Sequence, residues 1–210
     1  GKNYLFRTAA SFVRVLAGMA RKNYLENYKQ GARGIIIVGS HTDKTTKQIK
    51  KASELDMVVP ILFEVNGKEG TELSKESTKL SELCSELMKQ NKIPLVYTSR
   101  QVVKSAAKEQ ALERSVQISD AVQRIVANLQ IKPDFVIAKG GITSSDIATK
   151  ALDIKKAIVI GQAAPGIPVW RLNYKARFSN ILYIIFPGNV GEEDTLKQII
   201  EHICKVGGGS

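Results

Sequence analysis

Three short segments of small and hydroxyl-bearing residues carry the chemistry this sequence can offer. They are Gly39-Ser40-His41-Thr42, Lys139-Gly140-Gly141-Ile142-Thr143 and Pro187-Gly188-Asn189-Val190-Gly191. Each follows an apolar run of strand type, and ligands of open α/β sheets bind beyond the carboxyl ends of strands. Glycines let an anion come close to the backbone, and amides at a helix start converge on negative charge favoured by the helix dipole. The middle segment carries most of this signal. Residues 135–138 read as a strand, Gly140 and Gly141 follow, and Thr143, Ser144 and Asp146 stand where an N-cap and first turn belong. Ile147, Ala148, Ala151 and Leu152 then recur at helical spacing. The third segment runs into Glu192, Glu193 and Asp194, which suit a helix start but repel phosphate, so it is the weaker cradle. Together the loops supply hydroxyls and backbone donors but few groups for acid–base work. That profile fits a site that positions a nucleotide and leaves proton transfer to another domain. Singly, each loop reads more readily as a tight strand-to-helix turn. Neither the P-loop pattern ending in Gly-Lys-Ser/Thr nor Gly-x-Gly-x-x-Gly occurs.

The elements that must position these loops are legible from periodicity. Residues 34–40, Gly-Ile-Ile-Ile-Val-Gly-Ser, read as a strand buried on both faces, which favours a parallel sheet. Thr42 or Asp43 can cap a helix with Ile49, Ala52 and Leu55 on one face, and Lys44 near its start can help an anion. Residues 60–65 are a strand closed by the Asn66-Gly67 turn. Leu80, Leu83, Cys84, Leu87 and Met88 stripe a helix over 73–88, and a strand follows over 94–98. Ile118, Ala121, Val122, Ile125, Val126 and Leu129 stripe another helix within 105–129. Residues 157–160 look like one more buried strand, then 167–172 and 181–186 like a closing pair. A final helix buries Leu196, Ile199, Ile200 and Ile203. This alternation predicts an α/β layered domain, a mostly parallel sheet flanked by helices, with the closing pair as a candidate antiparallel edge.

Composition narrows the function classes. A chain of 210 residues, 43% hydrophobic, can bury roughly 70% of its unfolded surface without disulfides or metal. Cys84 and Cys204 lie within helical stripes and read as buried thiols of a reducing compartment, so a cytoplasmic location is expected. With only His41 and His202, no histidine-rich metal centre is expected. No apolar run approaches the ~18 residues of a membrane span, and no membrane partner is expected. The net charge of +11 invites nucleic acid or an anionic small molecule. The basic residues are spread along the chain and do not alternate with aromatics, which argues against nucleic acid. A homo-oligomer is left open.

Five motifs in this order narrow the reading: Arg7-Thr8-Ala9-Ala10-Ser11-Phe12; Gly39-Ser40-His41-Thr42 with Thr45 and Gln48; Gly140-Gly141-Ile142-Thr143-Ser144; Pro165-Gly166-Ile167-Pro168; and Pro187-Gly188-Asn189-Val190-Gly191. Across essentially its whole length the chain resembles the carboxyl-terminal half of the four-carbon acid sugar kinase family, DUF1537. The resemblance implies an ATP-binding domain whose enzyme phosphorylates the terminal hydroxyl of threonate, erythronate or 3-oxo-tetronate. It places Ser40, Gly140, Gly141, Ile142, Thr143 and Gly188 at ATP-contacting positions, with Gly191 a further candidate in the last loop. ATP would carry magnesium, and the sugar acid is the second partner. No catalytic residue is assigned, because the base would come from the other domain. Residues 1–30 would then end an amino-terminal sugar-acid-binding domain and its linker, 31–206 form the nucleotide-binding domain, and 207–210 a flexible tail. Gly1 is not a natural start, so a fragment inactive alone is expected. Three segments depart from the family pattern. Ile142 stands where active members often carry Glu, Phe186-Pro187-Gly188 where many have Lys-Ser-Gly, and His41-Thr42 where many have Cys-Ser. The departures at Ile142 and Phe186 support a competing expectation, a non-catalytic nucleotide- or sugar-phosphate-binding module.

Overall fold

The structure is a computed structural model and describes residues 5, 10–18, 33–99 and 108–204. A short helix α1 (Ala10–Leu16) comes first. The body then runs β1 (Gly34–Val38), α2 (Asp43–Ala52), β2 (Val58–Phe63), α3 (Gly70–Lys89), β3 (Ile93–Thr98), α4 (Lys108–Ala127), β4 (Phe135–Lys139) and α5 (Gly141–Asp146). α5 passes directly into a π-helical turn, Ile147–Ala151. β5 (Ala157–Ala164), β6 (Ile167–Leu172), β7 (Leu182–Phe186) and α6 (Thr195–Cys204) complete it.

The seven strands form one sheet in the order β2-β3-β1-β4-β7-β6-β5. β2, β3, β1, β4 and β7 are mutually parallel, and β6 and β5 continue antiparallel. The expected α/β architecture is therefore present. β1 and β4 are wholly buried on both faces, which is why they read as unbroken apolar runs. Side chains alternate between two cores. Ile35, Ile37, Val136, Ala138 and Tyr183 pack toward α3, α4 and the π turn. Ile36, Val38, Phe135, Ile137, Leu182 and Ile184 pack toward α2 and α6.

The far edge differs from the expectation. Residues 157–160 were expected as a buried strand, yet β5 is an edge strand with Ile158 64% and Val159 48% exposed. β7, expected in an edge pair, is interior, parallel to β4 on one side and antiparallel to β6 on the other. Runs of β-branched residues report strand propensity but not which neighbour a strand finds. In α3, Leu83 points outward, and the buried stripe instead includes Ser77, Ser81 and Ser85. Ser77 and Ser85 donate to the carbonyls of Leu73 and Ser81 one turn back, so burial leaves their hydroxyls satisfied.

Candidate functional site

β1 hands the chain toward β2 and β3, whereas the connection after β4 leads toward the β7 side of the sheet. The β1/β4 junction is thus the point where strand order reverses, the place an open α/β sheet leaves a crevice at its carboxyl edge. All three loops singled out in the sequence meet there. The ladder extends one step past the strands: Gly39 N donates to Lys139 O at 3.0 Å, and Gly140 N to Phe186 O at 2.9 Å. These two amides hold the loops together and are not available to a ligand. The amides of Gly141, Ile142 and Thr143 lie in the first turn of α5, where a helix has no internal acceptor for them.

Close packing at the junction is set by absent side chains. A Cβ on Gly39 would sit 2.0 Å from Thr143 Oγ1, and one on Gly188 would sit 2.7 Å from Ser40 Oγ. Gly140 adopts φ +120°, a left-handed conformation that side chains rarely take. Gly140, not Ser or Thr, is the N-cap of α5. The hydroxyls expected to cap it are used otherwise: Thr143 faces Gly39, and Ser144 Oγ donates to Ala138 O at 2.7 Å. Tyr183 supports the same turn, donating to Ser144 O at 2.6 Å from a fully buried position. The Ser144 carbonyl keeps the Ile147 amide as a second donor, so Tyr183→Phe should cost about 1 kcal/mol in a urea melt, the net worth of one buried hydrogen bond.

α2 brings in the other hydroxyls. Thr42 is its N-cap, accepting from Thr45 N at 3.1 Å, as the sequence suggested. The buried Thr45 hydroxyl lies 3.0 Å from Ser40 Oγ and 3.2 Å from the Gly188 carbonyl, which ties the first loop to the third. Gln48 donates to Val190 O at 3.2 Å and Glu192 O at 2.8 Å, holding the rest of that loop. Glu193 is drawn away by Lys47, 2.5 Å distant. The structure therefore brings Ser40, Gly140, Thr143 and Gly188 into one junction. Gly141 and Ile142 form its open rim: nothing lies within 4 Å of a Cβ on Gly141, and Ile142 is 71% exposed. Gly191 stands apart, at φ +81° with its Cβ position 2.9 Å from Thr195.

Lys139 heads the second segment, but sequence reasoning gave it no role. It follows Phe135 and Ile137 onto the α2/α6 face and is 0% exposed. Its Nζ donates to Pro187 O at 3.3 Å and Gly188 O at 3.4 Å and lies 3.7 Å from the centre of the Phe186 ring. Among the described residues no carboxylate pairs with it. Burial, and then the charge of Lys44, pushes its pKa from 10.5 down to about 8. A cation buried under glycine loops without a counter-ion leaves positive potential at the sheet edge. Its one signal in the sequence is a lysine closing an otherwise apolar strand immediately before Gly-Gly. Lys139 and Phe186 are register partners on adjacent strands, so a lysine stands beside one of the positions where the family pattern expects it.

On the α4 side a pocket of about 490 Å³ opens between Gly39, Thr143, Ile142 and α4. A second, of about 500 Å³, lies on the α2 side between Ser40, Lys50 and Tyr97. His41, whose Nε2 is 2.8 Å from Thr98 Oγ1, borders both.

The sequence profile described as nucleotide-binding C-terminal domain matches residues 35–196, more than half of the chain. The chain belongs to that family. Nucleotide is therefore the ligand class of this domain. Its fold is shared with solved structures. A Haemophilus influenzae protein of the DUF1537 family superposes with a TM-score of 0.63 at 22% identity, over 89% of this chain and 44% of that one. A Salmonella typhimurium LT2 protein provisionally described as a tRNA synthase gives 0.63 at 18% identity, over 89% and 43%. A Bordetella bronchiseptica DUF1537 protein, a domain-swapped dimer with bound citrate, gives 0.54 at 14% identity, over 94% and 46%. The nucleotide-binding domain thus spans less than half the length of each of these relatives. No curated protein matches the chain. Among the described residues no helix is long and apolar enough to cross a membrane. Cys84 and Cys204 are buried, and burial pushes their thiol pKa values up to about 12 and about 11.

Proposed function

We propose that this nucleotide-binding domain serves a kinase that transfers the γ-phosphoryl group of ATP to the terminal hydroxyl of a four-carbon sugar acid of the threonate, erythronate or 3-oxo-tetronate type. The observation that carries the reading is Lys139, a buried cation with no carboxylate partner among the described residues, beneath the meeting point of three glycine loops. Such a site favours a polyphosphate over a neutral ligand. In this reading Ser40, Gly140, Gly141, Ile142, Thr143 and Gly188 line the nucleotide, and Gly191 shapes the last loop from behind. Residues 1–30 would close a sugar-acid-binding domain, for which the exposed Val13, Val15 and Leu16 of α1 offer an apolar face.

Among the described residues no cluster of three His, Cys, Asp or Glu could cage a metal. The donor set therefore fits magnesium as an ion carried on nucleotide phosphates and water, where it would neutralise the phosphate oxygens. The chain's own part is positioning. The α5 amides and the Ser40 hydroxyl would hold the phosphates in line with the attacking hydroxyl, and Lys139 would offset charge. A base from the sugar-acid domain would take the hydroxyl's proton.

Ile142 favours a second reading, a nucleotide- or sugar-phosphate-binding module without turnover, since an exposed aliphatic side chain stands where the resemblance expects a carboxylate. Two measurements separate them. Calorimetric titration of this chain with magnesium ATP should give saturable binding. Phosphorus NMR of the chain joined to a sugar-acid-binding domain should show ADP and a phosphorylated acid formed together. Binding without transfer across the three acids would favour the module, and absence of binding would overturn both.

A further inference from the structure

The helix after the second glycine loop does not keep one hydrogen-bond ladder along its length. Tyr183 stands on β7 between its register partners Val136 on β4 and Trp170 on β6, and is 0% exposed. Its hydroxyl donates to Ser144 O at 2.6 Å and accepts from the backbone amide of Ala148. A carbonyl can only accept and an amide only donate, so the two partners fix both roles of the hydroxyl. In an α-helix the Ala148 amide would bond the Ser144 carbonyl directly. The tyrosine oxygen fills that gap, and a group inserted into the ladder opens the helix. The π turn follows at once, with Leu152 N reaching five residues back to Ile147 O at 2.9 Å.

This wide turn governs the loop above it. The buried residues Thr143, Ser144, Ile147, Ala148, Ala151 and Leu152 recur every four positions. At about 100° per residue an α-helix would spread them over about 180° of arc. The π turn gathers them into two columns, Thr143-Ile147-Ala151 and Ser144-Ala148-Leu152. The lower members of both columns are fixed in the core. The top of the first is Thr143, whose side chain occupies the space left by Gly39 and Gly140. The outer face is pinned to α4, where Ser119 donates to Asp146 and Lys150 lies 2.9 Å from Asp120. A segment held below and at its side cannot rewind without turning its upper end.

We infer, resting on the nucleotide reading above, that Tyr183 is a positioning residue of the loop junction. Its hydroxyl, wedged between Ser144 and Ala148, holds the π turn and so fixes where Gly141, Ile142 and Thr143 stand against the β1 and β7 loops. Without it the Ala148 amide closes on the Ser144 carbonyl and the segment rewinds toward an α-helix. Thr143 and Leu152 then cannot both keep their places. The wedge accommodates one residue more than an α-helix would take, so removing a residue should substitute for it. With the exposed Thr149 deleted, Ser144, Ile147, Ala148 and Leu152 fall at i, i+3, i+4 and i+7, one face of an α-helix.

The test combines Tyr183→Phe with deletion of Thr149. NMR couplings across hydrogen bonds should join Leu152 N to the Ile147 carbonyl in wild type, and Ala148 N to the Ser144 carbonyl in Tyr183→Phe. Calorimetry with magnesium ATP should show about tenfold weaker binding in Tyr183→Phe, the scale of one displaced hydrogen bond. The deletion alone should lose at least as much, because the hydroxyl then has no gap to enter. The two changes together should bind within about threefold of wild type, a coupling that a purely structural role would not produce. Thermal melts confirm that each variant folds. Wild-type affinity in Tyr183→Phe, single losses that simply multiply in the double variant, or a Leu152–Ile147 coupling that persists in Tyr183→Phe would overturn the positioning role while leaving the nucleotide reading intact. Failure of wild type to bind magnesium ATP would overturn both.

Discussion

Lys139→Met should reduce affinity for magnesium ATP by about 30-fold without destabilising the domain, the two effects having different physical origins. The ammonium is buried, has no ion-pair partner among the described residues, and is held by two long hydrogen bonds to the Pro187 and Gly188 carbonyls and by the face of the Phe186 ring. A buried charge in that position costs the fold, and a shape-matched apolar side chain is often neutral or stabilising. Chemical denaturation should therefore place the variant within ~1 kcal/mol of wild type, or above it. Binding loses a charge-assisted interaction worth about 2 kcal/mol and the tether on the Gly188 loop. The pH dependence gives a second readout. Below pH 8 Lys139 is charged in both folded and unfolded chains, and the folded state bears the full cost of burial. Between about 8 and 10.5 the folded chain releases this proton while the unfolded chain keeps it, so this contribution to stability rises with pH across that window. Bound phosphate favours the ammonium, so wild-type affinity should fall as pH rises above about 8. The Met variant should lack both trends. Wild-type affinity and pH profile in that variant would remove Lys139 from the site.

Gly140→Ala and Gly141→Ala should part company, although the two glycines are neighbours. Gly140 sits at φ +120° and ψ 143°, and a Cβ there would lie 3.3 Å from Thr143 Oγ1 and 3.4 Å from Ser40 N. The backbone conformation alone costs a side chain about 1–3 kcal/mol. Gly140→Ala should lower the melting temperature by roughly 4–8 °C, taking ~2 kcal/mol at a few degrees per kcal/mol for a domain of this size. Nucleotide binding should be lost with it, because the Ser40 and Thr143 loops can no longer close. Gly141 has an ordinary helical conformation and open space where its Cβ would be. There alanine should leave stability unchanged or raise it by up to ~1 kcal/mol, as in any helix. A binding loss in Gly141→Ala would then report steric conflict with the phosphate itself, since no described residue lies within 4 Å of the added Cβ. If the variant binds ATP as tightly as wild type, the phosphate does not pass over Gly141.

Much of this was legible in the sequence, for local reasons. Side-chain period identifies strands and helices because burial on one or two faces is written residue by residue, as in Ile35 to Val38 of β1 or Ala121 to Leu129 along and beyond α4. The glycine loops could be located because few other residues permit close backbone approach, and Thr42 could be named as a cap because its hydroxyl acts three residues away. Other features depend on partners distant in the chain. That β5 lies at an exposed edge and β7 in the interior follows from pairing order, on which β-branched runs are silent. That Ser144 serves a carbonyl of β4 rather than a helix end follows from Gly140 taking the cap. The sequence by itself thus determined the α/β class, the segments and the three loops, through propensities and periods that act over a few residues. Only the tertiary structure decided that these loops share one edge, that Lys139 lies buried beneath them and that a pocket opens beside α4. A lysine's charge is the same anywhere in a chain, but its energetic consequence depends on the dielectric and partners around it, and those are assembled from β1, β4, β7 and α2 only when the chain folds.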